Sequence, residues 1–119
     1  MTRVLCAVVV CVLMFGQGLA VNGSEILNYC QEYINFEDTG VDREDDRLGI
    51  GFCLGFAQGI TSLEACSNPY FCLPEGVNTS QGIRVFVKFL KDNPDQLHLE
   101  ASLLAAVAFA QAFPCAEGE

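Results

Sequence analysis

Positive charge is scarce in this chain. Six Lys and Arg stand against 15 Asp and Glu in 119 residues, and there is one histidine. A nucleic-acid partner needs a basic footprint, so that class is excluded. The acidity suits a basic protein partner, because opposite fields speed encounter; it also suits plain solubility of an exported protein. His98 lies where a helix begins, a place for a capping or surface role. A Cys66–His98 nucleophile pair would need a third orienting group and an oxyanion site, and no residue pattern marks either. Cys-x-x-Cys pairs are missing, since beyond the N-terminal apolar run the closest cysteines, Cys66 and Cys72, have five residues between them, so zinc is not indicated. No glycine-rich phosphate loop follows a strand, and the acidic run Glu37 to Asp46 lacks the spacing of an EF-hand. No catalytic residue, metal ligand or cofactor is therefore expected, and the protein reads as a non-enzyme.

A membrane-length apolar run is also missing. Val4 to Phe15 is unbroken but only twelve residues long, whereas a spanning helix needs about 20. With Arg3 before it and Gly18-Leu19-Ala20 after it, residues 1–20 have the layout of a secretory signal cleaved after Ala20. Residues 21–119 then form one small domain, with no membrane segment after cleavage. Cys6 and Cys11 leave with the signal, and Cys30, Cys53, Cys66, Cys72 and Cys115 remain. In an exported chain their default is disulfide bonding. Five is odd, so one is free or bonds another molecule, and the sequence alone leaves the pairing open. A domain of this size has only modest core stability, and such staples help it.

What is present is helical periodicity. Ile26, Leu27, Cys30, Tyr33 and Ile34 mark a first helix, with Ser24 as a plausible N-cap and an end near Phe36. Leu48 to Ala65 partly alternates as a strand would. Yet Leu48, Phe52 and Phe56 repeat every four residues, as do Gly51, Gly55 and Gly59, which favours a helix with a flat groove for a neighbour. Asp42 is placed to cap it. A third helix, capped by Asn78 or Thr79, buries Ile83, Phe86, Val87 and Leu90 and ends at Asn93-Pro94. The fourth, from about His98 to Phe113, is apolar almost all round and needs cover on every side. Asn22-Gly23-Ser24 and Asn78-Thr79-Ser80 match the glycosylation pattern but read better as helix starts.

Three surfaces follow from these patterns. The acidic stretch, with Asp42, Glu44, Asp45 and Asp46, is an exposed loop into the second helix and a candidate docking surface for a basic partner. The loop Ser67 to Glu75 offers Tyr70 and Phe71 as aromatic anchors, with a core role for Phe71 equally open. Val85 and Phe89 widen the apolar face of the third helix, and with Phe109 on the fourth they make a candidate dimer face. The basic stripe Arg84, Lys88, Lys91 is expected to offset the acidic cluster or to be the solvated side of its helix.

Cys72-x-Pro74-x-Gly76-Val77-x-x-x-Gln81, then Phe86-Val87-x-Phe89-Leu90-x-x-x-Pro94, then Ala101-x-x-Leu104-x-x-x-Ala108-x-x-x-x-Phe113-Pro114-Cys115 resembles the Rap/Tai immunity proteins. These are small exported helical bacterial proteins that bind and neutralise peptidoglycan amidase effectors of type VI secretion. The resemblance implies an all-α fold, a small disulfide-stapled bundle of about four helices, with Leu48 to Ala65 helical. It implies a periplasmic homodimer whose partner is a cognate amidase effector, blocked by occlusion of its active site. It also implies two bridges, on Cys30, Cys53, Cys72 and Cys115. The pairing expected with it is Cys53 with Cys72 and Cys30 with Cys115, the second closing the longer loop. Cys66 is additional, and a Cys66–Cys72 bridge is the alternative. Other functional classes are a general periplasmic helical binding module and a small lipid carrier.

Overall fold

In the computed structural model, which describes residues 20–65 and 70–116, the first helix, α1, spans Gly23–Thr39. It starts on Asn22 rather than Ser24. The Asn22 Oδ1 accepts from the Glu25 N–H at 3.0 Å, and Glu25 Oε2 accepts from the Asn22 N–H at 3.1 Å, so two unpaired donors are satisfied reciprocally. The next two are satisfied from outside the helix. The N–H groups of Gly23 and Ser24 donate to the carbonyls of Leu99 and Leu97 at 2.9 and 3.1 Å. Gly23 has to be small for this approach, because a Cβ there would fall 2.6 Å from Leu104 Cδ1 and 2.9 Å from the Leu97 backbone. Ile26, Cys30, Tyr33 and Ile34 form the buried stripe, and Gly40, at φ 70°, closes the helix in the left-handed region.

A 3₁₀ turn, Glu44–Asp46, leads into α2, Arg47–Thr61. The ambiguous glycine-rich stretch is thus helix. Asp42 does not cap it. Its carboxylate instead holds the Arg47 guanidinium with two bonds of 2.9 and 2.7 Å across the turn, and Asp46 at the N-cap makes no side-chain cap. The glycines divide by position. Gly49 is buried against α1, where a Cβ would meet Glu32 Oε2 at 1.8 Å and Tyr29 Cδ1 at 2.9 Å. Gly51, Gly55 and Gly59 face open space and seat no neighbouring helix among the described residues.

After an irregular stretch, α3 (Thr79–Asp92) is capped by Asn78, whose Oδ1 accepts from the Gln81 N–H at 2.8 Å. It buries Gly82, Ile83, Phe86, Val87 and Leu90, and a 3₁₀ turn, Pro94–Gln96, follows. The last helix, α4, begins at Ala101 and not near His98, running to Ala112. The carbonyls of Leu97 and Leu99, which a longer helix would use, are engaged by the start of α1, and the Ala101 N–H donates to Val21 at 2.8 Å. α4 buries Ala101, Leu104, Ala105, Ala108 and Phe109, while Leu103 and Val107 stay exposed. Its apolar character is therefore not fully covered by the described residues.

The result is an all-α bundle of four helices, with one isolated bridge, Asn22 to Glu100, among the described residues. Phe71, Phe86 and Phe109 make its aromatic centre, the Phe109 ring lying 5.3 Å from Phe71 and 6.3 Å from Phe86 between centroids. The disulfides are Cys30–Cys53 and Cys72–Cys115, with Cα separations of 5.0 and 4.9 Å. This corrects the expected pairing of Cys53 with Cys72 and Cys30 with Cys115. Cys30 and Cys53 sit on the facing buried sides of α1 and α2. Cys72 is drawn to the chain end by its N–H donating to the Phe113 carbonyl at 2.9 Å. Each bridge closes one helix pair, so neighbours in the fold outweigh loop length. With Cys72 engaged, a Cys66–Cys72 bridge is also ruled out. Residues 1–19 of the expected signal and Cys66 lie outside the described residues, and no described helix is long and apolar enough to cross a membrane.

Candidate partner-binding surface

The acidic stretch resolves into two groups. Glu37 and Asp38, on the last turn of α1, are bound to α3: Arg84 donates to Glu37 at 3.0 Å and to Asp38 at 2.6 Å, and the Ser80 hydroxyl donates to Glu37 at 2.6 Å. The Ser80 bond, then Arg84, then the Tyr33 hydroxyl, hold the Glu37 carboxyl below the ordinary carboxylate range. Arg47 does the same for Asp42. These two carboxylates thus serve the fold, and Arg84 meets the expectation that the basic stripe offsets the acidic cluster.

Glu44, Asp45 and Asp46 are the second group. They form a single turn between α1 and α2, and none of them pairs with a cation among the described residues. The charge of Asp46 is felt by Glu32, whose carboxyl is raised first by burial and then by Asp46, against a hydrogen bond from Asn28. A carboxylate turn without internal partners is open to an external cation.

This turn borders a cleft of about 250 Å³ lined by Asn35, Phe36, Thr39, Val41, Arg43 and Asp46. Phe36 and Val41 are exposed, at 38% and 55%, and Leu48 on the first turn of α2 is 82% exposed. Apolar surface ringed by unpaired charge is the composition of a docking site. Sequence reasoning missed Phe36, Val41 and Leu48. The available signal was Val41, one aliphatic residue in an otherwise polar loop, and Phe36, two positions beyond the buried stripe.

The aromatic anchors separate. Tyr70 is 76% exposed, but Phe71 is 1% exposed and packed at a tilt against Phe109, so it cannot be an anchor. The expected dimer face changes for the same reason. Phe109, also 1% exposed, belongs to the core between Phe71 and Phe86. Val85 and Phe89 are partly buried and line an open groove of about 330 Å³ with Lys88, Ala108 and Ala112. His98 is exposed in the turn before α4. Among the described residues, no group of three or more His, Cys, Asp and Glu side chains is arranged to hold a metal.

No curated protein and no solved structure matches the chain. The family profile of the Rap1a immunity proteins matches residues 22–115. That span runs from the cap of α1 to Cys115 of the Cys72–Cys115 bridge, so it takes in all four helices and both disulfides. The chain belongs to the family of Rap1a immunity proteins.

Proposed function

We propose that the protein is a periplasmic immunity protein, made with a signal over residues 1–20, whose domain 21–119 binds a peptidoglycan amidase effector of type VI secretion and occludes its active site. The family match over residues 22–115 carries this reading. Two disulfides support an oxidising compartment. The unpaired turn Glu44–Asp46, beside exposed Phe36 and Val41, supports a basic, partly apolar epitope on the partner. Tyr70 is a further exposed anchor. The protein performs no reaction; it works by covering another protein's cleft. A homodimer through Val85 and Phe89 belongs to the same reading, and a monomer by sedimentation at micromolar concentration would remove it.

The test is retention from periplasm on the oxidised protein, followed by enzyme assay. An amidase that co-purifies and is inhibited stoichiometrically establishes the reading. Reversing Glu44, Asp45 and Asp46 to lysine should then slow association, with a smaller change in dissociation. Unchanged association would place the interface elsewhere. Retention of a different envelope protein would favour the general binding module.

A further inference from the structure

Arg84, Lys88 and Lys91 recur at spacings of four and three on α3 and so share one side of it. They are three of only five cations in residues 21–119. Together with α1 they wall a groove of about 430 Å³. Its floor is Ile34 and Val87, both buried side chains. Gln31 completes the lining. Its Nε2 donates to Asn35 Oδ1 at 3.0 Å, while its Oε1 is buried with no hydrogen-bond partner. Asp92 stands on the rim and pairs with Lys88, both side chains being well exposed.

We infer that this groove between α1 and α3 docks an extended acidic segment of a partner protein. Each feature of the lining matches one feature of such a segment. With a small rotation of its side chain, Gln31 Oε1 takes from a backbone N–H of the segment the donor it lacks. Carboxylates on alternate residues reach Lys91, which pairs with no carboxylate among the described residues, and displace Asp92 from Lys88. That exchange is cheap, because exposed pairs contribute little. Intervening apolar side chains, pointing the other way along an extended chain, cover Ile34 and Val87. Arg84 is held in place by Glu37 and Asp38 and forms the fixed end of the wall. A free phosphate would match the cations only, leaving the floor and the amide oxygen unused. The groove shares no lining residue with the cleft beside Glu44–Asp46, so this surface is distinct from the proposed effector site and does not rest on that reading.

The experiment is a magnetic-resonance titration of the oxidised, isotope-labelled protein with an acetylated peptide of alternating Glu and Leu, at low salt. Saturable shifts confined to Gln31, Ile34, Val87, Lys88 and Lys91 are expected, weakening with added salt. Lys88→Glu with Lys91→Glu should weaken binding about tenfold or more while leaving the unperturbed spectrum folded. Gln31→Leu should weaken it without changing the salt dependence. The same titration with inorganic phosphate, and with a Gln/Leu peptide, supplies the controls. Equal binding by the charge-reversed protein, or equal shifts from phosphate alone, would overturn the proposal. So would self-association abolished by Lys91→Glu alone, a residue outside the groove of Val85 and Phe89, which would make a second copy the occupant.

Discussion

Cys30–Cys53 joins two helices at positions with no solvent exposure, whereas Cys72–Cys115 ties two irregular segments at partly exposed positions. The first bridge is part of the core between α1 and α2, and the loop it closes contains the acidic turn. The second is a clasp around α3 and α4, and its loop contains the basic stripe. The two bridges therefore act on different terms. Loop entropy alone favours the outer bridge, with a separation of 43 residues against 23: about 4 kcal/mol against about 3 kcal/mol. Burial reverses that order. Cys30→Ser with Cys53→Ser leaves two hydroxyls in an apolar interior, each costing about 1–3 kcal/mol if unpaired. The inner double variant should thus lose about 5 kcal/mol or more, a large share of a small domain's stability. Cys72→Ser with Cys115→Ser should lose about 4 kcal/mol at most. Urea unfolding of both variants in one buffer compares them directly. A larger loss from the outer pair would mean that loop length, not burial, decides.

Glycines sharpen the same contrast within the first helix pair. Gly23 sits under Leu97 and Leu104, with backbone as well as side chain in the way of a Cβ. Gly23→Ala must shift that contact and should cost about 2–3 kcal/mol by overpacking. Gly51 faces open space on the outer side of α2. Gly51→Ala should stabilise by about 0.5–1 kcal/mol through helix propensity and a stiffer unfolded chain. Thermal unfolding of the two variants should move in opposite directions. If Gly51→Ala is destabilising, the outer face of α2 is covered in solution.

Much of this was readable from residues alone. The four helices follow from apolar spacing and from turn residues such as Asn78 and Asn93-Pro94, because those signals are local. The starts of α1 and α4 did not follow. They depend on each other through hydrogen bonds between residues 21–24 and 97–101, a contact between distant parts of the chain. The disulfide pairing failed for the same reason, since it depends on which helix faces meet. At the surfaces, charge was legible but partnership was not. Glu37 and Glu44 look alike in sequence, yet one is bound by Ser80 and Arg84 and the other pairs with no cation among the described residues. Phe71 and Phe109 also show the limit, because an aromatic residue's neighbours, not its type, decide between anchor and core.

The helix caps provide a control in which the two halves should behave alike. Asn22 and Asn78 both accept from the third N–H of their helices, at 3.0 and 2.8 Å. Replacing either by Ala should cost about 1 kcal/mol. A much larger loss at Asn22 would show that the contact between residues 21–24 and 97–101 depends on its cap, which Asn78 has no counterpart for.

The smallest expected effect is on acid stability, and it separates ties between the halves from ties within one. Glu37 joins α1 to α3 through Ser80 and Arg84, whereas Asp42 and Arg47 lie on the same connection. Both carboxyls have folded pKa values below their ordinary ones, so the stability they contribute is present above the ordinary value and is lost as pH falls through the folded value. Glu32 has the opposite sign. Its folded pKa is raised by burial and by Asp46, so its contribution is present below the ordinary value and is lost as pH rises through the folded one. Acidification from neutrality should first relieve Glu32, giving a shallow maximum between its raised folded value and the lowered values of the other two, and then release Glu37 and Asp42. Urea midpoints across this range should show a flatter acid limb for Glu37→Gln than for the parent, with Asp42→Asn flattening it less. Asp42 is the more local tie, and its pair with Arg47 is exposed on both sides. If Asp42→Asn alone flattens the limb, the connection from α1 to α3 contributes nothing to acid stability, and each half responds through its own pairs.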